Sequence, residues 1–388
     1  MALLNKYVPI LKWKAAEITA LTEVAEEHRK RITPLIEIVL PGISNVYKDK
    51  EKTIKKTDEE IHGEMLARMT GQRFTKIPEE IEKAWGTRKI YVDTTLLHNK
   101  GKSNELKIDT MSAILDGGKK RGLELIPVLN LADDASIVEN ISRLISNGEI
   151  KEVCVRVTPS NLKDIVALNH SLPEFLRKLG IGKSGAHLLV DLKYVDSTSG
   201  TYTTLFAQTQ NIIGLKDFQE FIFASGAFPV DMTECSFEDP TYLPRTDWTS
   251  WKSNAISAGL VRVPVYGDYS IRHPLYNESL QLFESSSTLK YTVGSHWMIL
   301  RGKKRALHMY LTSASLLVQQ PEFNQATSGM GAEFSFGDGY IVKKAKHFDD
   351  VFRHDNSVKG TGRTQDWIAA GVSHHIGVVM HQLSNPRD

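Results

Sequence analysis

Several charged residues of this sequence stand where short apolar segments end. Glu37 follows Leu35 by two positions, and Asp191 follows Leu189 in the same way. Because side chains alternate across a β-strand, residues two positions apart share one face of it. The residues at or near such strand ends are Lys12, Glu37, Asp93, Asn130, Arg156, Asp191 and Lys193. Carboxylates mixed with cations in one place are suited to acid–base catalysis or to binding an anion.

This set is compatible with more than one kind of site. Glu37, Asp93 and Asp191 are the candidate catalytic residues, as general acids and bases, and together with Asn130 they would also suit a hard cation such as Mg²⁺. The basic residues would instead bind a small anionic ligand such as a phosphate ester; they are Lys12, Arg156 and Lys193. The structural alternative is an ion network in which three cations balance three anions. The sequence leaves the cofactor and the metal unknown.

The elements that must position these residues form a repeating pattern. Eight short apolar segments alternate with helical patterns, at residues 7–11, 33–39, 89–94, 123–130, 153–157, 187–192, 220–224 and 260–265. Short apolar strands separated by helices are typical of a parallel sheet buried on both faces, and eight units favour closure into a barrel. The sequence therefore predicts an α/β fold, a (β/α)8 TIM-like barrel, with an open doubly wound sheet as the alternative.

The barrel is predicted to occupy residues 1–270, and a C-terminal α+β extension packed on it to occupy residues 271–388. Within the extension, residues 289–300 have a strand-like pattern and residues 307–318 a helical one. A further strand is predicted at residues 340–344, and a final helix at residues 363–383.

Long βα loops should carry part of the site, because barrel enzymes keep their active residues on the loops after the strands. The segment 225–259 contains Arg245, Trp248 and Trp251. These residues predict a lid or partner-binding surface, or a plug of the barrel mouth. Other residues follow the seventh and eighth strands, where barrels often bind phosphate. They are Ser225, Tyr266 and Asp268.

Composition narrows the class of protein. The 388 residues carry a net charge of +2, which gives no general reason to expect nucleic acid as a partner. Two cysteines build no disulfide framework, and no apolar segment resembles a signal peptide or reaches the ~18 residues of a membrane span. These features predict a cytoplasmic protein without membrane insertion.

The sequence contains none of four common catalytic or nucleotide-binding motifs: the Walker loop, H-E-x-x-H, C-x-x-C and G-x-S-x-G.

Five segments of the sequence resemble a known family. They are YVPILKWKAAEITAL, ITPLIEIV, VDLKYVD, LPRTDW and YTVGSHW, and they resemble the beta protein family, which is named for a gene of an enterobacterial satellite phage and is scattered through prophages and bacterial defence islands. For the founding relative, the resemblance implies a neighbouring cell-killing protein, Gop, which beta restrains, and a role in the Gop-Beta-Cll antiviral cassette. It assigns no catalytic residue.

The resemblance implies a component of a phage- or prophage-encoded antiviral defence system, which restrains or licenses a neighbouring toxic effector protein. The barrel-mouth site or a partner surface would carry that role. The alternative is a TIM-barrel hydrolase or lyase acting on a phosphorylated or nucleotide substrate.

Overall fold

Eight parallel strands close into a barrel in a computed structural model that describes residues 5–43, 46–48, 51, 53–97, 105–196, 200–276, 286–352 and 359–385. The predicted TIM-like (β/α)8 barrel is therefore confirmed. In order around the barrel, its strands are β1 (Tyr7–Lys12), β2 (Leu35–Glu37), β3 (Ile90–Asp93), β4 (Leu125–Asn130), β5 (Val153–Val157), β6 (Ala186–Tyr194), β7 (Glu220–Gly226) and β9 (Val265–Asp268).

Helices fill the connections between the barrel strands. They are α1 (Ala15–Thr22), α2 (Glu26–Arg29), α3 (Asp58–Arg68), α4 (Phe74–Trp85), α5 (Glu105–Lys120), α6 (Ala135–Ser146), α7 (Pro159–Leu162), α8 (Ile165–Leu179), α9 (Thr201–Thr209) and α10 (Thr246–Ala255). Local sequence fixes several of their ends. Asp164 caps the first turn of α8 by accepting from the Ala167 N–H, and Gly180 ends that helix with a φ of 76°.

The barrel strands separate two apolar layers. One face of each strand packs outward against the helices, whereas the other fills the barrel interior. The interior layer contains Val8, Ile10, Leu35, Tyr91, Ile126, Val128, Cys154, Leu189, Ile222, Ala224, Val265 and Tyr269. The inward residues that follow this layer along the strands must lie at the barrel mouth.

The C-terminal extension is built on a three-stranded antiparallel sheet. The hairpin β10 (Leu289–Val293) and β11 (His296–Leu300) pairs with β8 (Thr241–Pro244), which comes from the connection between β7 and β9. Helices α11 (Met309–Val318), α12 (Pro321–Ala326) and α13 (Phe336–His347) surround this sheet, and α14 (Thr364–Ser384) packs against α1 and β1. The division of the chain at residue 270 stays a prediction.

Two predicted elements are wrong. Residues 340–344 lie in α13, whose N-terminus is capped by Ser335 accepting from the Asp338 N–H. The β-branched residues Ile341 and Val342 suggested a strand there, but packing against the hairpin favours a helix. The eighth barrel strand begins at Val265, where the sequence pattern was predicted to end. Tyr266 and Asp268 therefore lie within the strand instead of following it.

Candidate functional site

The charged residues at the strand ends meet inside the barrel mouth. They lie at the C-terminal ends of β1, β2, β3, β5 and β6, above the interior apolar layer. We call this group the inner network, and it consists of Lys12, Glu37, Asp93, Arg156, Asp191, Lys193 and Tyr269. Its members are buried, except that the Lys193 side chain is 33% exposed. Their roles in catalysis or binding stay predictions.

Arg156 is the centre of the inner network. Its Nε and Nη2 donate to Asp191 Oδ2 at 2.9 and 2.6 Å. Its Nη1 donates to Glu37 Oε1 at 2.9 Å and also to Asp93 Oδ2. The Tyr269 hydroxyl lies 2.7 Å from Arg156 Nη2 and donates to Asp191 Oδ2 at 2.7 Å. One arginine therefore connects the ends of β2, β3, β5 and β6.

Two lysines complete the inner network. Lys12 donates to Glu37, and Lys193 Nζ lies 2.9 Å from Asp191 Oδ2 and 3.1 Å from the Tyr269 hydroxyl. Lys193 has a φ of 60°, in the left-handed region, at a register shift between β6 and β7. Its N–H donates to Asp191 Oδ1 at 2.9 Å, which helps to hold this strained conformation. The irregular strand end thus keeps the Lys193 ammonium over the network.

Ion pairing outweighs burial in setting the pKa values of two carboxyls. Burial acts to raise the pKa of Glu37, but Lys12 and Arg156 lower it to about 2. Burial acts on Asp191 in the same sense, yet Lys193 and Arg156 hold its pKa well below the usual range. Burial lowers the pKa of Lys12, and Glu37 offsets part of this effect. Glu37 and Asp191 are therefore fixed hydrogen-bond acceptors at neutral pH rather than proton donors.

The formal charges of the inner network cancel, because three carboxylates face two lysines and one arginine. This is the geometry of the ion-network alternative. Within the described residues, no group of three or more His, Cys, Asp or Glu side chains has the geometry to hold a metal ion. Asn130 does not bond to the network: its Nδ2 donates to Thr95 Oγ1 at 2.9 Å, and the Thr95 N–H donates to Asp93 Oδ1 at 2.7 Å.

A cleft of about 830 Å³ opens above the inner network, between the barrel and the extension. We call it the cationic cleft, because six basic residues and two acidic residues are among its described lining residues. The basic residues are Lys12, Lys14, Arg73, Arg272, Lys290 and Arg363, and the acidic ones are Glu17 and Asp231. Trp13, Phe228 and Tyr276 add aromatic surface. Such a combination is suited to an organic anion.

Neighbouring residues hold several of these cations in place. Arg272 Nε and Nη2 donate to Oε1 of the buried Glu17 at 3.1 and 2.9 Å. Lys14 Nζ lies 4.8 Å from the centre of the Tyr276 ring. Their positions are therefore fixed in part before any ligand binds, which lowers the entropic cost of binding.

Lys290 lies on the wall of the cationic cleft and was missed by the sequence analysis. It alternates on β10 with Leu289 and Tyr291, which pack into the core of the extension, so its side chain points toward the barrel. Burial, reinforced by Arg272, lowers its pKa to about 7. A lysine between two apolar residues of a strand is the sequence signal that marks such a position.

The prediction that Ser225, Tyr266 and Asp268 follow the seventh and eighth strands is wrong, because all three lie within them. Because β9 runs from Val265 to Asp268, alternation places Gly267 inward and Tyr266 and Asp268 on the outer side of the barrel wall. Ser225 pairs in register with Asp268 and lies on that same side. All three residues are buried, and none of them lines the cationic cleft. Phosphate binding at these strand ends stays a prediction, and their side chains contribute nothing to the lining of the cleft.

These outward residues belong to a second buried polar group. We call it the wall cluster, and it consists of Tyr7, Arg245, Asp247, Tyr266, Asp268 and His375. Asp268 Oδ2 lies 2.9 Å from both the Tyr266 hydroxyl and His375 Nε2. Burial acts to raise the pKa of Asp268, but His375 outweighs it and the pKa is about 2. Burial and the charge of Asp268 raise the pKa of Asp247 to about 7.

Trp248 and Trp251 form neither a lid nor a partner surface. They lie in α10, are 4% and 3% exposed, and their ring centres are each 5.1 Å from that of Tyr266. Arg245 is buried as well, and its Nη1 donates to Gly294 O at 2.7 Å and to Gln382 Oε1 at 2.9 Å. The prediction of a surface was wrong because α10 packs on the outer side of the barrel wall. Because the two tryptophans lie outside the barrel wall, they do not plug the barrel mouth either.

Together, the closed barrel, the charged mouth and the adjoining extension define a TIM-like barrel protein with a cationic cleft. None of the helices in the described ranges combines the length and the apolar character that a membrane span needs. The chain belongs to the family described as Beta protein, which matches residues 7–381. No curated protein matches the chain. A similar solved structure is a family 5 xyloglucanase from Paenibacillus pabuli in complex with ligand, at 11% identity over 68% of this chain and 95% of that chain, with a TM-score of 0.27.

Proposed function

We propose that this protein binds a small anionic molecule in the cationic cleft. We further propose that it acts through this binding as a cytoplasmic component of a phage- or prophage-encoded antiviral defence system, in which it restrains or licenses a neighbouring toxic effector. The geometry of the cleft supports the first part of the proposal. Family membership supports the second.

The concentration of basic side chains in the cleft carries the proposal. Four of the six have an acidic partner: Lys12 pairs with Glu37, Arg73 with Glu80, Arg272 with Glu17 and Arg363 with Asp366. The cleft therefore offers many cationic N–H donors in one place, and the inner network below it adds no net negative charge. The cleft also opens at the C-terminal ends of the strands, where barrel proteins bind their ligands. An anion with a flat organic part would contact both the cations and the aromatic rings.

The position of the cleft suggests how binding would act on a partner. Lys14 belongs to the barrel and Arg363 to the extension, so one anion that contacts both would favour the arrangement in which the two parts are docked. The defence role is supported by the match of the Beta protein family to residues 7–381 and by the antiviral cassette that the resemblance implies.

Anion binding is tested by titration calorimetry of the full chain with inorganic pyrophosphate at low salt. The variant Lys14→Ala/Arg363→Ala removes one cation on each side of the cleft, and we expect its Kd to rise at least about tenfold, because each charge-assisted hydrogen bond contributes ~1.5–3 kcal/mol. The matched control is Lys119→Ala/Lys120→Ala, since these lysines lie on α5, outside the cleft, with 63% and 72% of their side chains exposed. Equal affinities in all three proteins would contradict the anion site.

The cellular role is tested by co-expressing the protein with the neighbouring gene and measuring cell survival and phage plating. We expect deletion of the gene to change at least one of the two. The Lys14→Ala/Arg363→Ala variant should behave like the deletion, whereas the α5 control should behave like the wild type. If the deletion changes neither survival nor phage resistance, the defence role is excluded.

A hydrolase or lyase acting on a phosphorylated substrate is the second candidate. It is favoured by the position of the Lys12–Glu37 pair, because Lys12 lines the floor of the cleft. The low pKa of Glu37 makes this carboxylate a poor proton donor at neutral pH, so a lyase that uses an amine fits the cleft better than a hydrolase that uses a carboxylic acid. Turnover of phosphorylated aldehydes or ketones by the wild type, lost in Lys12→Met, would support it; no turnover would count against it.

A further inference from the structure

We propose that Lys290 is a covalent binding residue, whose amine forms an imine with an aldehyde or ketone group of the anion held in the cationic cleft. This inference rests on the proposed anion binding and names the chemical class of the ligand. The ligand would carry a carbonyl group close to a phosphate or carboxylate.

The position of the Lys290 amine is the first argument. Lys290 lines the cleft, and its Nζ lies 4.4 Å from the centre of the Phe228 ring and donates a long hydrogen bond of 3.5 Å to Ile271 O. No carboxylate oxygen of the described residues lies within 4.0 Å of it. Lys12 and Lys193, in contrast, are each paired with a carboxylate of the inner network. Of these three lysines around the mouth, Lys290 is therefore the one whose nitrogen is left for a reaction.

The charges around Lys290 favour its neutral form. The groups that act on it are Arg272, Cys235 and Glu17, and Glu17 is already bonded to Arg272. Burial together with the Arg272 cation lowers the pKa of Lys290 to about 7, so that a large share of the amine is unprotonated at neutral pH. An unprotonated amine is what imine formation requires.

The reaction needs no reagent beyond the ligand. The lone pair of Nζ attacks the carbonyl carbon while the C=O π electrons move to oxygen, which takes up a proton as the nitrogen loses one, giving a carbinolamine. The nitrogen lone pair then forms the C=N bond as the C–O bond breaks with its electron pair, and the leaving oxygen takes up the second proton lost from nitrogen, which releases one water. Hydrolysis reverses both steps, and no atom changes its oxidation state overall.

The neighbouring cations define the rest of the ligand. Arg272 and Lys290 line the same cleft, the charge of Arg272 acts on Lys290, and Lys14 comes from the barrel part of the chain. An anionic group bound there would bring the carbonyl to the amine and raise its local concentration. We therefore expect phosphorylated carbonyl compounds to react faster than their neutral counterparts.

The experiment uses pyridoxal 5′-phosphate as the probe, with borohydride reduction and peptide mapping by mass spectrometry. We expect the wild type to be labelled mainly at Lys290. The labelling rate should rise with pH and reach half of its maximum near pH 7. Pyridoxal lacks the phosphate and should label this residue at least about tenfold more slowly. Lys290→Met keeps the length and packing of the side chain and should lose this labelling. Lys120→Met, at a residue whose side chain is 72% exposed, should not change it.

Thermal melting must show that Lys290→Met is folded. Titration with pyrophosphate then distinguishes a failure of imine formation at Lys290 from a failure of anion binding in the cleft. If pyrophosphate binds but Lys290 is not labelled, the imine is excluded and the anion site stands. If neither occurs, the anion site itself is wrong. Labelling spread over exposed lysines, with a rate that keeps rising toward pH 10, would also overturn the assignment of Lys290.

Discussion

The inner network and the wall cluster lie on opposite sides of the same barrel wall, and both bury charged residues. In the inner network each carboxylate bonds to a lysine or arginine. In the wall cluster Asp268 pairs with His375, and among the described residues Arg245 Nε and Nη2 have no hydrogen-bond partner. The pKa values differ accordingly, since that of Glu37 falls to about 2 and that of Asp247 rises to about 7. Burial alone therefore does not decide the charge state; the partner of each carboxyl does.

This difference assigns the two groups different parts in the molecule. Glu37 and Asp191 of the inner network stay ionised at neutral pH, and the formal charges of the network cancel, so it forms a buried floor without net charge under the cationic cleft. The wall cluster joins β9 to α10 and to α14 of the extension, and one of its carboxyls changes charge near neutral pH. Four substitutions test this comparison.

Arg156→Met should have the largest effect, because it removes the cation that the three carboxylates of the inner network share. Asp93 loses the cation that its carboxylate contacts, and an unpaired buried charge is destabilising. We expect the free energy of unfolding to fall by about 3–5 kcal/mol, measured by urea denaturation. The control Arg177→Met, on the exposed side of α8, should change it by less than about 0.5 kcal/mol.

A second substitution sharpens this result. Adding Asp93→Asn to Arg156→Met removes the unpaired charge, so part of the lost stability should return. A loss below about 1 kcal/mol in the single variant would mean that the inner network is hydrated rather than tightly paired, and the comparison with the wall cluster would fail.

Trp251→Ala should have the next largest effect, because it removes a buried indole from the packing between α10 and Tyr266. Loss of a buried aromatic side chain costs about 3 kcal/mol or somewhat more. Phe237→Ala is the control, since Phe237 is 49% exposed, and it should cost less than about 1 kcal/mol. If Trp251→Ala left stability unchanged but abolished an interaction with a partner, the tryptophan would belong to a surface after all.

The inner network was predictable because one rule positions most of it. Lys12, Glu37 and Arg156 each follow an inward apolar residue by two positions on strands whose ends the sequence locates well. Tyr269 was missed because it lies one residue beyond β9, in a segment where the strand had been predicted too early. The same shift of five residues places Tyr266 and Asp268 within the strand instead of after it.

The wall cluster and the cationic cleft were not predictable in this way, since each joins distant segments of the chain. His375 meets Asp268 across 107 positions, and Lys290 meets the barrel through a hairpin whose placement depends on β8, a strand inserted between β7 and β9. No periodicity in the sequence reports such contacts. The tryptophans of α10 were misinterpreted for a related reason: their helical spacing shows that they share a face, but not whether that face is covered.

The smallest effect is expected for Asp247→Asn, and it depends on pH. The Asp247 carboxyl faces Arg245, Asp268 and Tyr266, and its pKa of about 7 in the folded protein lies above the value near 3.9 of an unfolded chain. A carboxyl whose pKa is raised by folding binds its proton more tightly in the folded state, so stability falls as pH rises from about 4 to about 7 and is constant above that window.

An asparagine in place of Asp247 cannot ionise, and it therefore escapes this loss. At pH 5 the variant should match the wild type closely, because a neutral amide replaces a neutral acid of the same shape. At pH 8 it should be more stable than the wild type by about 1–3 kcal/mol, as measured by urea denaturation at both pH values. The exposed pair Asp116–Lys120 offers a control, since Asp116→Asn should show no such gain with pH. If Asp247→Asn is instead less stable than the wild type at pH 8, the Asp247 carboxylate is ionised and paired with Arg245. The carboxyls of the wall cluster would then be held in the same way as those of the inner network, and the comparison would fail.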